Sequence, residues 1–184
     1  TLSGTIPSKG VYIAAVDKRD ASATGADTMM FQEMQDKVTA VAHGFFGPSY
    51  GNGDEGSKCI YQNGDDALTL EKSSDGGMSY TIVDLFGLIG EQPQSSTGSA
   101  GAGWTDEPDY WNGVGAYWTR DQTLIRKSTI TAGVTTNPGP PYQSPGAFNP
   151  STEWDSLSIN TFDSLGTHTC DCDDWAMSVK SIST

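Results

Sequence analysis

The apolar positions of this chain fall in short runs separated by polar turns, a pattern that predicts β-strands. Runs at 11–16, 67–70, 80–89 and 123–131 are rich in Val, Ile, Leu, Thr and Tyr, and turns such as 63–66 divide them. Short β-rich runs bounded by Gly, Asn and Asp are typical of strands. The run at 80–89 is nearly continuous, which predicts a central strand covered on both faces.

Further strands are predicted at the two ends of the chain. Residues 1–16 are expected to form a strand pair, and 154–169 to carry the last strand of the main pattern. Within 170–184, residues 175–179 place an apolar side chain at every second position. This alternation is typical of a strand with one covered face, and it predicts an additional C-terminal strand.

One segment, residues 26–42, has helical periodicity instead. Met30, Met34, Val38 and Val41 recur at helical spacing and form one apolar stripe. We expect this helix to pack on a sheet, although a stripe of methionines also suits a binding groove.

The segments between these elements are long and rich in Gly, Pro and Trp. They cover 17–25, 45–61, 92–118 and 132–149, and no repeat or linker divides the chain. The sequence therefore predicts one mainly-β domain over 1–184, with a single helix and long loops.

Composition and charge limit the classes of function that this chain can have. There are 22 glycines, 18% charged residues and 10% aromatic residues, which suits strands with polar loops and opposes disorder. The net charge of −13 opposes binding to nucleic acid or anionic membranes, and suits cations, a basic partner or simple solubility outside the cell.

No apolar run approaches the ~20 residues of a membrane span. The chain opens without Met at Thr1, so we expect a mature or trimmed secreted product.

The sequence offers little catalytic chemistry. Its only histidines are His43 and His168, no Gly-x-Ser-x-Gly motif occurs, and most paired acids fall in predicted turns. We therefore predict that the chain is not an enzyme.

Aromatic residues in the segment 92–118 are the best candidates for binding. Flat rings on a loop can stack on sugars or bury into a protein partner. The slightly favoured alternative is that they cover an open side of the core. The set consists of Trp104, Tyr110, Trp111, Tyr117 and Trp118.

Acidic turns could bind calcium. Asp54 and Glu55 lie in one Gly-rich turn, and Asp65 and Asp66 lie in another. Carboxylate and carbonyl oxygens are the ligands of Ca²⁺, but neither turn has EF-hand spacing. Structural turn residues are the preferred interpretation.

The three cysteines, Cys59, Cys170 and Cys172, leave an odd thiol. Cys170 and Cys172 are too close in sequence for an easy bridge between them. A disulfide from Cys59 to one of the pair is geometrically more plausible. A zinc site is the weaker alternative.

Six segments in order resemble the lamin-tail-domain family of secreted bacterial proteins. They are LSGTIPSKGVYI at 2–13, NGDDALTL at 63–70, IVDLFGLIG at 82–90, LIRKS at 124–128, NPSTEWD at 149–155 and TFDSLGTHT at 161–169. The resemblance implies an immunoglobulin-like β-sandwich. It also implies a place beside secreted nucleases, adhesins or other surface proteins, with no catalytic residues to carry over.

The chain departs from the family pattern where strands that usually precede residue 2 are missing. A sandwich lacking strands exposes unpaired backbone. The cover could be the C-terminal strand, the helix or a strand from another chain, and a fragment of a longer protein is equally compatible. The leading hypothesis is a structural or adhesive cell-surface module that binds a protein partner or self-assembles. The alternatives are an accessory domain of a secreted nuclease or other enzyme, and a carbohydrate-binding module.

Overall fold

The computed structural model describes residues 10–16, 18–22, 32–46, 64–91, 93, 103–106, 117–139 and 148–171. Within these ranges the protein is mainly β, with six strands, one α-helix and one short 3₁₀-helix. The predicted strands at 1–9 and 175–179 lie outside the described residues. In the described part, no helix is both long and apolar enough to cross a membrane.

The first sheet is a parallel pair, β1 (Ala14–Val16) and β2 (Gly44–Phe46). Helix α1 (Gln32–Val41) lies between them in the chain, as a parallel connection requires. The prediction of loop throughout 45–61 is wrong at its first two residues. The parallel partner β1 stabilises β2, and a local pattern does not record that pairing.

Helix α1 lies within the segment predicted to be helical, and its described part confirms the apolar stripe. Val38 is buried at 6% exposure, whereas Met34 and Val41 are half-buried. The helix packs on the segment after the last strand, where Lys37 Nζ donates to the Asp163 carbonyl at 3.4 Å. Residues 26–31, including Met30, lie outside the described residues.

The second sheet is an antiparallel hairpin of β3 (Leu68–Lys72) and β4 (Thr81–Phe86), with a bulge between Leu70 and Glu71. Strand β4 is shorter than the predicted run at 80–89, because Gly87 at φ 89° ends it. Within β4 only Thr81 is exposed, and Leu85 is buried at 4%. The other residues are half-buried on both faces.

The third sheet pairs β5 (Gln122–Arg126) and β6 (Trp154–Ser158) in antiparallel register. It meets the hairpin through aromatic rings. Phe86 stands edge-to-face to Trp154 at 5.3 Å and to Phe148 at 5.2 Å. The mainly-β class is confirmed, and the immunoglobulin-like sandwich stays a prediction.

Glycine is required at position 64, where the chain approaches the start of β5 closely. Gly64 has φ 104°, and a Cβ atom there would lie 2.7 Å from the Thr119 carbonyl oxygen. Both the left-handed backbone and the contact exclude a side chain. The hydroxyl of Thr119 in turn donates to the Gly64 carbonyl.

We expect Gly64→Ala to lower the free energy of unfolding by about 2 to 3 kcal/mol, since it adds a backbone clash to the backbone strain. The matched control is Gly76→Ala, which has φ 74° but nothing within 4 Å of the new Cβ. The control should cost about 1 kcal/mol from strain alone. Urea denaturation of both variants measures the difference, and equal losses would contradict the close approach.

Candidate functional site

Trp104 lies at the centre of the interior. Its side chain is 0% exposed, and its indole Nε1–H donates to the Asp66 carbonyl at 2.9 Å. Its backbone N–H donates to Thr119 Oγ1 at 2.8 Å. The ring stands edge-to-face to Phe148 at 5.2 Å. A buried ring with its polar atom bonded internally cannot contact a ligand, so Trp104 leaves the predicted binding set and acts as an anchor.

The other loop aromatics are distributed differently. Tyr117 and Trp118 are half-buried. Tyr117 pairs with Thr105 in an isolated antiparallel bridge, and the Trp118 N–H donates to the Trp104 carbonyl at 2.9 Å. Tyr110 and Trp111 lie outside the described residues. Local pattern does not predict this bridge, because a long polar stretch separates its two sides.

An acidic cavity lies beside the outer face of β3. It has a volume of about 550 Å³, and it contains both acids of one predicted calcium turn. Asp65 is 1% exposed, whereas Asp66 is exposed. The described lining consists of Asp65, Asp66, Ala67, Thr69, Glu71, Ile89, Gly90 and Glu91.

The acids of this cavity are spread out rather than clustered. Within the described ranges, no group of three or more His, Cys, Asp or Glu residues is placed to hold a metal ion. Asp54 and Glu55, the other predicted calcium ligands, lie outside those ranges. Calcium binding therefore stays a prediction.

One wall of the cavity is fixed by a side-chain amide. Asn137 Nδ2 donates to the Ile89 carbonyl at 3.0 Å, and the Ile89 N–H donates to Asn137 Oδ1 at 2.8 Å. A paired bond of this kind holds the turn at 89–90 in one position. The wall is thus formed before any ligand arrives.

The hairpin β3–β4 carries the exposed apolar surface. Residues 69–72 of β3 are exposed in succession. Leu70 is 51% exposed, Tyr80 57% and Met78 85%. In the described part of the chain, β3 pairs with β4 on one edge and with no strand on the other. This combination of an open edge and apolar side chains is the strongest candidate for a binding surface.

The turn of the hairpin is organised by Asp75. Its carboxylate accepts from the Met78 N–H at 3.1 Å and from the Ser79 N–H at 3.0 Å. It also accepts from the hydroxyls of Ser79 at 2.5 Å and Ser73 at 2.7 Å. The Ser79 hydroxyl, followed by that of Ser73, holds the pKa of Asp75 well below its usual range. These bonds fix the backbone that presents Met78 and Tyr80.

A charge cluster around Arg126 joins the two antiparallel sheets. Its guanidinium donates to Asp84 of β4, and to Glu153 at 2.7 Å. A further bond reaches the Ala132 carbonyl at 3.3 Å, and the guanidinium carbon lies 5.3 Å from the Trp154 ring centroid. The Arg126 side chain is 15% exposed. This shared cation links β5 to β4 and to the residue that precedes β6.

The two histidines occupy different positions. His43 Nδ1 accepts from the Ile13 N–H at 3.2 Å, and its ring stacks on Tyr12 at 5.3 Å. His43 therefore supports the β1–β2 sheet. His168 is exposed and lines a cavity of about 450 Å³ between α1 and the β5–β6 sheet.

Cys170 is disulfide-bonded. The neighbouring Asp171 ties the same segment to the turn after β5, since its N–H donates to the Ser128 carbonyl at 2.7 Å. Cys59 and Cys172 lie outside the described residues, and the pairing of Cys170 stays a prediction.

Comparison of this chain with models of protein families, with curated proteins and with solved structures gave no match.

We expect Arg126→Ala to destabilise the fold by about 3 kcal/mol, because it leaves two partly buried carboxylates without their cation. The matched control is Arg120→Ala. Arg120 lies 3.7 Å from Asp121 in a pair whose side chains are 48% and 73% exposed, and such pairs contribute at most about 1 kcal/mol. Thermal and urea unfolding of both variants test this, and a loss of similar size in the control would contradict it.

We expect the Asp75 carboxyl to titrate well below about 3.9, the usual value for Asp. Because the folded pKa is lowered, its contribution to stability is present above about pH 4 and is lost as the pH falls towards the folded pKa. Ser79→Ala should raise the pKa of Asp75. Ser74→Ala is the control, since no described hydrogen bond joins Ser74 to Asp75. NMR titration of the carboxyl carbon measures all three proteins, and an unchanged pKa in Ser79→Ala would contradict the assignment.

Proposed function

We propose that this chain is a non-catalytic, extracellular structural or adhesive module that binds protein by strand addition at the open edge of β3. The observation that carries the proposal is the exposure of four successive residues, 69–72, on a strand with one free edge in the described part of the chain. Exposed strand edges are templates for another strand. Recognition by strand addition uses such edges, with backbone hydrogen bonds for affinity and side-chain pockets for specificity.

The open part of the edge is short and well defined. The register shift after Leu70 skips Val83, so the extra residue lies on β4 and not on β3. Lys72 at the end of β3 is the kind of residue that protects an edge. The open stretch therefore lies before Lys72. The exposed side chains of Met78 and Tyr80 belong to the same hairpin and extend the apolar surface.

Two observations support an extracellular location. The disulfide of Cys170 requires an oxidising compartment for its persistence. The resemblance of six segments to the secreted lamin-tail-domain family favours the same location, and it favours a sandwich fold for the module. Calcium at Asp65 and Asp66 would be an addition to this function rather than its basis.

The alternatives have weaker support. An accessory role beside a secreted nuclease or other enzyme rests on the resemblance alone. Carbohydrate binding by the loop needs exposed flat rings, whereas Trp104 is fully buried and Tyr117 and Trp118 are half-buried. Strand addition is the function that the described surface favours.

Random extended peptides displayed on phage and selected on the purified chain should yield binders that depend on the β3 edge. We expect Leu70→Lys to weaken the selected peptides by about tenfold or more, which corresponds to about 1.4 kcal/mol, because a lysine at an edge obstructs pairing. Binding constants from fluorescence anisotropy give the measurement.

The matched control is Ala40→Lys, which introduces the same charge at an exposed position of α1, outside both cavities that β3 lines. Both variants should keep the circular dichroism spectrum and unfolding midpoint of the parent. Peptides that are insensitive to Leu70→Lys, or equally sensitive to Ala40→Lys, would overturn the proposal.

A further inference from the structure

We propose that the strand added to β3 is a cationic segment of a different protein, whose Lys or Arg side chains enter the acidic cavity beside β3. This inference rests on the proposed function and identifies the chemistry of the partner. It follows from the two faces of β3, the charge of the cavity and the charge of the whole chain.

The two faces of β3 have different surroundings. Thr69 and Glu71 line the acidic cavity, and the Thr69 hydroxyl donates to Glu71 Oε1 at 3.1 Å. On the opposite face, Leu68 lines a second cavity with Phe86 and Trp154. Side chains of a strand alternate between faces, so every second residue of an added strand lies on the side of the acidic cavity.

The cavity carries one sign of charge. Four carboxyl side chains line it, and its described lining contains no Lys or Arg. Two of these acids, Glu71 and Glu91, are exposed and stand on the two sides, β3 and the turn after β4. A cationic side chain entering between them would meet favourable charge on both sides.

The spacing of the acids selects an extended cation over a compact one. The described acids form no group of three or more that could hold a metal ion. Cationic side chains on alternate positions of a strand lie about 7 Å apart. A strand can therefore reach several dispersed carboxylates, which a single ion cannot.

The net charge argues against a second copy of this chain as the partner. At −13, with 10 basic and 23 acidic residues, two copies repel each other. The basic pair on β5 and just after it is already engaged. Arg126 bonds Asp84 and Glu153, and Lys127 Nζ donates to the Ser151 carbonyl at 2.5 Å.

The cavity is also formed in advance. Asn137 holds both backbone groups of Ile89, which positions the turn carrying Glu91. Binding at a preformed wall does not incur the entropy cost of ordering it. The rigid wall therefore favours a strand whose side chains match the positions of the acids.

The test compares three synthetic peptides of about nine residues, a usual strand length. They alternate Val with Lys, Val with Thr, or Val with Glu, and spermine is the compact polycation. Binding is measured by fluorescence anisotropy for the peptides and by calorimetry for spermine. We expect the Lys peptide to bind about tenfold or more tightly than the Thr peptide. Its affinity should fall with added salt and with Leu70→Lys.

Glu71→Gln keeps the shape of the cavity and removes one charge, so it should weaken the Lys peptide and leave the Thr peptide unchanged. Glu33→Gln is the matched control, since Glu33 is an exposed glutamate in the first turn of α1. It should leave both peptides unchanged.

The other outcomes separate this inference from the proposed function. Equal, Leu70-dependent binding of the Lys and Thr peptides would overturn the cationic partner and leave strand addition standing. Spermine could bind tightly while Leu70→Lys leaves binding of the Lys peptide unchanged. That result would show that the surface binds any polycation without strand pairing, and it would overturn the inference. If none of the peptides bind, both proposals fail.

Discussion

The burial of Trp104 is the constraint on which the rest of the described interior depends. Its ring is fully buried, and its hydrogen bonds to Asp66 and Thr119 join two segments that are far apart in sequence. The close contact of Gly64 with the Thr119 carbonyl follows from the same join. Without a residue of this size and polarity, the loops on either side of β5 would lack an anchor in the core. The hairpin β3–β4 would then lose its support from beneath.

A second long-range contact, at Arg126, links the two antiparallel sheets. Its cation lies between Asp84 of β4 and Glu153 beside β6, and Phe86 meets Trp154 next to it. Asp84 and Phe86 of β4 therefore both contact the neighbouring sheet. Most of the acidic residues that the structure describes are exposed, unlike the two carboxylates around Arg126. An acidic surface of this kind favours cations and repels anions.

Local sequence patterns predicted the helix and strands whose own side chains show a helical or β-rich pattern. The helical stripe located α1 through Val38. Short β-rich runs located β3 to β6, although the runs at 80–89 and 123–131 extend past the ends of β4 and β5. Non-local pairing was not predictable: β2 forms because β1 lies beside it, and the bridge of Thr105 with Tyr117 joins two ends of a polar stretch. Among the candidate site residues, aromatic type did not distinguish the buried Trp104 from a ligand-binding ring. The Asp75 turn carries a local signal in its flanking serines, whereas the cavity at Glu71 and Glu91 arises only when the turn after β4 folds back beside β3.

The open edge of β3 and the acidic surface beside it are physically related. An exposed strand edge exposes a protein to edge-to-edge pairing with its own copies, and charged residues near the edge are a common protection. Two copies of this chain, each with a net charge of −13, would repel each other on meeting at β3. That repulsion opposes self-pairing while leaving the stretch of β3 before Lys72 available to a strand of opposite charge. On the proposed function, the carboxylates beside β3 would oppose pairing of the edge with a second copy and would favour a cationic strand.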